Sequence, residues 1–214
     1  MKVDILRSQM LRAAMLVDPD ARASQADLLS IGEISVVVVE PAERQNRAGL
    51  LSQAFALRHR CFVDYRGWDE LRQPDGLDRD HHDSGAALHV LDLHGEHVRG
   101  HMRLIPGGYL HASKIDPDRF ELTPEIFGLS RLCYDRASRG ADCWMGIARL
   151  FGGAVGVARR AGIRQMIFDT DPILVLYLQA LGLRPRVIGE TVLHHGRPMQ
   201  PIALTVEPAT RSAG

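Results

Sequence analysis

Short apolar runs alternate along the chain with longer segments in which apolar residues recur every three to four positions. The short runs, rich in β-branched residues, predict buried strands, and the longer segments predict amphipathic helices. The predicted strands span residues 34–39, 87–93, 97–105, 126–134, 165–170, 184–190 and 200–206. The predicted helices span residues 41–65, as one helix or two, 142–161 and 172–181. This order predicts an α/β fold with a mixed central sheet flanked by helices on both faces, because it is neither a βαβ repeat nor a sandwich.

The two ends of the chain are predicted to lie outside this domain. Residues 1–33 carry apolar residues at helical spacing and then a polar stretch, which predicts an appended amphipathic helix and a linker. The domain is predicted to span residues 34–207, followed by a flexible tail at residues 208–214. The polar segment at residues 67–85 is predicted to be a loop.

Composition narrows the class of protein. A chain of 214 residues with 45% hydrophobic content can bury a real core, which excludes general disorder and a disulfide-stapled miniprotein. The 26 basic and 26 acidic residues cancel, which argues against a dedicated nucleic-acid binder. The three cysteines are scattered and lack metal-ligand spacing, and no apolar run approaches the ~18 residues of a membrane span. These features predict a soluble, cytoplasmic protein.

The densest polar cluster, residues 75–83, does not fit a metal site. An EF-hand loop starting at Asp78 would place Asp83 where glycine is needed and His89 where glutamate is needed. Zinc at His81 and His82 is disfavoured, because adjacent side chains rarely converge on one ion. No metal site is therefore predicted, and a solvated loop is the interpretation that composition alone favours.

Two further motifs favour structural roles. The glycines at positions 152, 153 and 156 fall inside a predicted helix and not at a strand-to-helix turn, so helix packing is favoured over dinucleotide binding. The pair His194-His195 is predicted to lie in a surface turn.

Four motifs in one order change the interpretation of the polar loop. They are Arg-x3-Phe-x5-Trp at residues 58–68, Asp-x2-Asp at 80–83, Gly-x2-Arg at 100–103, and Leu-Ser-Arg at 129–131. From about residue 35 to residue 206 the chain thereby resembles the LuxI-type acyl-homoserine-lactone synthases, a branch of the GNAT-like acyltransferases. The family's motif residues fall on Arg58, Phe62, Trp68, Asp80, Asp83, Arg103 and Arg131, with Phe120 as a looser match and Thr170 near the acyl site.

The resemblance implies a reaction and roles for these residues. The family joins an acyl group from a thioester to the α-amine of S-adenosylmethionine (SAM), a substrate and not a cofactor, and lactonisation then expels methylthioadenosine. Asp80 and Asp83 suit removal of a proton and binding of a cationic substrate. Arg103 and Arg131, with Arg58, can pair with those carboxylates, fix the N-terminal loop, or hold the substrate's carboxylate. Phe62 and Trp68 would form an apolar wall. These side chains are expected to converge in a cleft between the helical segment at residues 41–65 and the sheet.

One departure from the family pattern keeps alternatives open. The family has an acidic residue immediately before Leu-Ser-Arg, and here that position is Gly128. Glu121 and Glu125 lie upstream as substitute carboxylates. The alternatives are therefore a generic GNAT-type N-acyltransferase, or a non-catalytic descendant that binds acyl groups or SAM.

The acyl donor and pocket are also expectations from the resemblance. A GNAT-like sheet splays between its fourth and fifth strands, where the acyl chain would enter. The segment at residues 139–146 lacks the spacing with which ordinary GNAT acetyltransferases bind the coenzyme A pyrophosphate, which favours an acyl-carrier protein over acyl-CoA as donor. A basic patch of Arg149, Arg159, Arg160 and Arg164 is a candidate docking surface for that acidic carrier. The predicted acyl pocket comprises Met102, Leu104, Leu129, Met145 and Phe168, whose bulk favours short, medium, branched or aryl chains over long ones.

Overall fold

A computed structural model describes residues 34–107, 115, 118, 120–138 and 141–206. The predicted N-terminal extension and the tail at residues 208–214 lie outside the described residues. The strands are β1 Ile34–Val39, β2 Leu88–His94, β3 His97–Pro106, β4 Ile126–Tyr134, β5 Gln165–Thr170, β6 Arg186–Val187, β7 Val192–His194 and β8 Arg197–Thr205. The helices are α1 Ala48–Arg58, α2 His81–Ser84, α3 Ala141–Arg160 and α4 Pro172–Ala180. Short 3-10 turns lie at Pro41–Glu43 and Asp69–Leu71.

The strands form one mixed sheet in the order β1-β2-β3-β4-β5-β8-β6, with β7 paired to β8. Neighbouring strands are antiparallel except β4 and β5, which are parallel. The β4–β5 register covers three pairs only, the last being Gly128 with Ile167. Beyond that pair β4 and β5 continue without pairing to each other, so the sheet is open at the position where the sequence predicts a splay.

Two apolar layers cover the two faces of the sheet. On one face, Met102, Leu104, Leu129 and Phe168 pack in a large core with residues of α3. On the other face, α1 packs Leu51, Ala54 and Leu57 against strands β1 to β4. The sheet is therefore flanked by helices on both faces, and the α/β fold with a mixed central sheet is confirmed.

Four local predictions are corrected. The predicted helix at residues 41–65 is a 3-10 turn followed by α1, which continues into a π-helix at His59–Tyr65. The predicted strand at residues 184–190 contains only the two-residue β6, and the separate strand β7 follows it. Strand β8 begins at Arg197, three residues earlier than predicted, because the turn at residues 195–196 forms a tight β7–β8 hairpin.

The fourth correction concerns the predicted loop at residues 67–85, which contains the helix α2. The Asp80 carboxylate caps this helix by accepting from the backbone N–H of His82. The Asp83 carboxylate accepts in turn from the backbone N–H of Asp80. This reciprocal capping box satisfies two backbone donors that a loop would leave free. None of the described helices is long and apolar enough to span a membrane.

Candidate active site

A buried cluster of alternating charges lies on the face of the sheet that α1 covers. It comprises Arg58 from the end of α1, Asp78, Asp80 and Asp83 from the segment around α2, Arg103 from β3, and Arg131 from β4. Arg58, Asp78 and Arg103 are at most 1% exposed. Buried charges are costly unless they are paired and hydrogen-bonded, so the pairing pattern defines this site.

Arg58 joins α1 to the segment around α2. Its Nε and Nη2 atoms donate to the two carboxylate oxygens of Asp78, each at 3.2 Å. Its Nη1 atom donates to Oδ1 of Asp83 at 2.8 Å. Arg58 lies where the α-helix passes into the π-helix, a local widening that often occurs at functional sites. All three guanidinium nitrogens of Arg58 thus donate to a carboxylate.

Arg103 joins the sheet to the same segment. Its Nη1 atom donates to Asp80 at 2.6 Å and to Asp83 at 2.8 Å, and its Nη2 atom donates to Asp80 at 3.0 Å. The remaining Nε donates to the hydroxyl of Ser130 at 3.0 Å. Asp80 and Asp83 thus cap α2 and bind Arg103 with the same carboxylates, so the helix cap fixes the orientation of the ion pairs.

Arg131 reaches the cluster because strand β4 contains a β-bulge. Arg103 pairs with Ser130 and His101 pairs with Cys133, so two residues of β4 face one residue of β3. Arg131 has a φ of 53°, in the left-handed region that non-glycine residues rarely adopt. The bulge sends Ser130 and Arg131 to the same face, although neighbouring residues of a regular strand alternate.

The guanidinium of Arg131 is bound less completely than those of Arg58 and Arg103. Its Nε donates to Asp78 at 2.9 Å, and its Nη2 lies 3.5 Å from Asp80. Arg131 also lies over the ring of Phe62, with 5.6 Å from the guanidinium carbon to the ring centroid. It therefore has the greatest freedom of the three arginines to meet a ligand.

The electrostatics of the cluster favour the charged forms of Asp80 and Asp83. Burial alone would raise the pKa of Asp83, but the hydrogen bond and charge of Arg58 outweigh it and hold that pKa well below the ordinary value. Burial also acts to raise the pKa of Asp80. The hydrogen bond and charge of Arg103 outweigh that effect and hold the pKa below its ordinary value. The Asp80 side chain is 26% exposed, whereas that of Asp83 is 6% exposed. Asp80 is consequently the carboxylate through which the cluster faces the surface.

Trp68 and Phe62 form an apolar wall beside Arg131. Their rings stack with centroids 5.1 Å apart, and both are buried. His194 and His195 pack against the other side of Trp68, with ring centroids 4.8 and 5.4 Å away. Nε2 of His195 is 2.8 Å from a carboxylate oxygen of Glu70. The histidine pair at the β7–β8 turn therefore forms part of the site's wall.

The structure does not bring the other predicted site residues into this cluster. Phe120 is buried in a separate apolar group with Ile126 and Ile167. Thr170 is buried at the end of β5, where it pairs with Gln200 of β8. Their assigned roles stay predictions.

The predicted acyl-pocket residues lie on the opposite face of the sheet. Met102, Leu104, Leu129 and Phe168 belong to one buried core beneath α3, and Met145 packs nearby against Ala148 and Tyr177. Met102, Leu104 and Leu129 lie on β3 and β4, the two strands that also carry Arg103 and Arg131. Their role as an acyl pocket stays a prediction.

Glu121 and Glu125 do not replace the missing carboxylate at Gly128. Both glutamates are exposed and line a surface cleft of about 480 Å³, and Glu125 pairs with Arg164 at 3.1 Å. Gly128 is buried in β4, whereas Glu125 is an exposed residue just before that strand begins. Asp80 remains the partly exposed carboxylate of the charged cluster.

One arginine of the predicted basic patch forms an ion pair within the protein. Arg149 donates from Nε and Nη2 to Asp92, both at 2.7 Å, and its side chain is 19% exposed. Arg149 therefore already has a buried counter-charge in Asp92, and its role in a docking surface stays a prediction. Arg160 and Arg164 are exposed.

Sequence reasoning missed four residues of the site. Asp78 and Ser130 bind the three arginines directly, and His89 and His101 lie fully buried beneath them. Asp78 lies in the same acidic segment as Asp80 and Asp83. His101 is two residues before Arg103 on β3, and His89 pairs with Arg103 across β2 and β3, so both histidines lie on the same face as Arg103. These signals place the residues nearby without showing which partners they choose.

Comparisons with known proteins agree with this arrangement. No protein-family model matches the chain. The isovaleryl-homoserine lactone synthase of Bradyrhizobium diazoefficiens is 44% identical over 57 residues, a segment that covers 27% of this chain and 26% of that protein. The CoA-dependent acyl-homoserine lactone synthase BjaI, solved with SAM and isopentyl-CoA, superposes with a TM-score of 0.69 at 23% identity, over 80% of this chain and 83% of that one.

A second solved structure, the CoA-dependent acyl-homoserine lactone synthase MesI, has a TM-score of 0.68 at 25% identity. That match covers 81% of this chain and 89% of the other. The similarity therefore extends over about four fifths of this chain. The chain has the GNAT-like fold of the acyl-homoserine lactone synthases, and the resemblance to that family indicated by its motifs is confirmed.

Proposed function

We propose that this protein is an acyl-homoserine lactone synthase that uses SAM and an acyl thioester. The observation that carries the proposal is the buried arginine–aspartate cluster, which meets the surface at Asp80 and lies beside the wall of Phe62 and Trp68. Four family motifs, distant in sequence, supply this one cluster. A charge-balanced site that is already formed before binding loses little energy to reorganisation when a charged substrate arrives.

The cluster suits the amino-acid end of SAM. That end carries an ammonium, a carboxylate and a nearby sulfonium, so it needs both an anionic and a cationic partner. Asp80, held ionised by Arg103, faces the ammonium, and the less engaged guanidinium of Arg131 faces the carboxylate. Trp68 and Phe62 then shield this end of the substrate from water.

The reaction proceeds in two bond-forming steps. The free α-amine attacks the thioester carbonyl, an amide bond forms, and the thiol leaves. The substrate's carboxylate oxygen then attacks the γ-carbon, which closes the lactone and expels methylthioadenosine from the sulfonium. Neither step is a redox step, and neither requires a cofactor or a metal. Asp80 with a lowered pKa binds a cation better than it accepts a proton, so the amine reacts through its own unprotonated fraction.

The acyl donor in this proposal is an acyl-CoA with a short, branched chain. This differs from the carrier protein that the sequence favours. Two similar solved structures are described as CoA-dependent, and the sequence relative is described as an isovaleryl-homoserine lactone synthase. The bulky side chains on the α3 face, Met102 and Phe168 among them, leave more room for a short chain than for a long one.

The test is to incubate the full chain with SAM and a panel of acyl-CoA and acyl-carrier-protein thioesters, following methylthioadenosine and lactone by mass spectrometry. We expect both products with isovaleryl-CoA. Asp80→Asn should lower kcat/KM for SAM by roughly tenfold or more, because a charge-assisted contact is lost. Asp75→Asn is the matched control, since Asp75 pairs with Arg79 on the exposed side of the same segment.

Two outcomes would replace the proposal. Acyl transfer to other amines without methylthioadenosine would indicate a generic GNAT-type N-acyltransferase. Binding of SAM or acyl-CoA, seen as a raised melting temperature without product under single-turnover conditions, would indicate a non-catalytic descendant. Gly128→Glu separates that last case further, because a gain of activity in this variant would show that the absent carboxylate limits turnover.

A further inference from the structure

Two buried histidines lie directly beneath the bulge at Arg131. Nδ1 of His101 is 3.1 Å from the backbone carbonyl oxygen of Arg131. Nε2 of His101 is in turn 3.1 Å from Nδ1 of His89. Both histidines are 0% exposed, so these contacts replace solvent entirely. The two rings connect strands β2, β3 and β4 on the face that holds the charged cluster.

The hydrogen bonds that join His89, His101 and the carbonyl of Arg131 fix the proton positions on both rings. A carbonyl oxygen only accepts hydrogen bonds, so Nδ1 of His101 carries the proton and donates to it. Nε2 of a neutral His101 is then an acceptor, and Nδ1 of His89 must donate to it. The tautomers of both rings follow from a single backbone oxygen at the end of the chain. Each hydrogen bond is therefore donated in the same direction, from His89 to His101 and from His101 to Arg131.

We propose that His101 and His89 are positioning residues that hold the bulge of β4, and through it the placement of the Arg131 side chain against Asp78 and Asp80. Arg131 needs such a restraint because its φ of 53° is disfavoured for a residue with a side chain. A regular β4 would turn Arg131 to the opposite face, away from both aspartates. The hydrogen bond from His101 to the bulged carbonyl opposes that change.

The surroundings favour neutral rings, which the directional chain requires. The groups that influence His89 are Asp83, whose Oδ1 lies 4.0 Å from Nε2, and the cations of Arg44, Arg58 and Arg103. Burial together with these cations lowers the pKa of His89 to about 4 in spite of Asp83. Burial lowers the pKa of His101 as well. An imidazolium in either position would reverse one donor of the chain and add a fourth buried positive charge.

The activity test uses three variants and rests on the proposed function. His101→Leu removes the donor to Arg131, and His101→Asn keeps an N–H at the position of Nδ1. His97→Leu is the matched control, because His97 is an exposed histidine on the same strand. We expect His101→Leu to lower kcat/KM for SAM roughly tenfold or more, His101→Asn to recover most of that loss, and His97→Leu to match the wild type.

A double-mutant cycle separates positioning from general structural support. If His101 acts through Arg131, His101→Leu changes kcat/KM little in an Arg131→Ala background. Equal losses in both backgrounds would overturn the proposal, as would equal activities of the Asn and Leu variants.

A spectroscopic measurement tests the same chain without enzyme activity. In protein labelled with 15N at histidine, His89 and His101 should each show a protonated Nδ1 and an unprotonated Nε2 from pH 6 to pH 8. A protonated Nε2 on either ring would overturn the assignment even if all variants fold poorly. Wild-type protein that shows these tautomers but releases no methylthioadenosine would contradict the proposed function and leave the histidine chain supported.

Discussion

Replacement of Asp83 by asparagine measures how strongly the charged cluster stabilises the fold. Asp83 is 8% exposed, accepts from Arg58 and Arg103 at 2.8 Å each, and accepts from the backbone N–H of Asp80 at 2.9 Å. Asn keeps the shape but removes the charge, which leaves two buried guanidinium groups with a missing counter-charge. Removal of one partner from a buried ion pair costs about 3–5 kcal/mol. We expect a loss of that size in the free energy of unfolding, measured by urea denaturation followed by circular dichroism at pH 7.

The pH dependence gives the same experiment a second, sharper result. The pKa of Asp83 is lowered in the folded protein, so its stabilisation is present above the pKa of the unfolded chain, about 3.9, and is lost as pH falls below it. The difference between wild type and Asp83→Asn should therefore be constant from pH 8 to about pH 5 and shrink below about pH 4. Comparing the two proteins removes titrations that they share. Asp75→Asn, which breaks an exposed pair with Arg79, should cost less than about 1 kcal/mol. A loss below 1 kcal/mol for Asp83→Asn, or a difference that does not shrink in acid, would refute this reasoning.

Three further results are expected. Gly146→Ala should destabilise the fold by about 1–3 kcal/mol in urea denaturation, because its new Cβ would lie 2.1 Å from the ring of Tyr134. Gly49→Ala, with open space around the new Cβ, should be neutral or slightly stabilising. The kcat/KM for SAM should rise with pH and be half-maximal near pH 8, the ordinary pKa range of an α-amine, and a plateau reached by pH 6 would instead indicate a carboxylate base. Across acyl-CoA donors, efficiency should rise by up to about 0.8 kcal/mol of transition-state binding per methylene and then fall. Met102→Ala should move that maximum to longer chains, and an unmoved maximum would contradict a place for Met102 in the pocket.

The motifs predicted that residues distant in sequence lie close together, but not which of them form ion pairs. Arg58, Asp80, Asp83 and Arg103 lie together as expected, since each motif is short and rigidly spaced within one element. The choice of Asp78 as the bidentate partner of Arg58 did not follow from sequence, because several acids of the same segment are equivalent in composition.

The face of the sheet on which Arg131 lies also could not be predicted from the sequence pattern. Strict alternation along Leu129, Ser130 and Arg131 would place Arg131 on the same face as Leu129, in the apolar core. The bulge reverses this, and it depends on one residue in the left-handed region and on contacts with another strand. Register changes of this kind arise from tertiary contacts, which apolar periodicity does not encode.

Strand β4 is the element that relates the charged cluster to the predicted acyl pocket. Leu129 faces the apolar core beneath α3, while Ser130 and Arg131 face the cluster beneath α1. The pairing of β4 with β5 ends at Gly128, the residue just before this change of polarity. In the proposed reaction, an acyl chain that enters the open sheet beyond Gly128 would reach the apolar face beside the strand that carries Ser130 and Arg131. The bulge in the β3–β4 pairing therefore serves the proposed reaction, since it turns Arg131 toward the face where the amine-bearing substrate would bind.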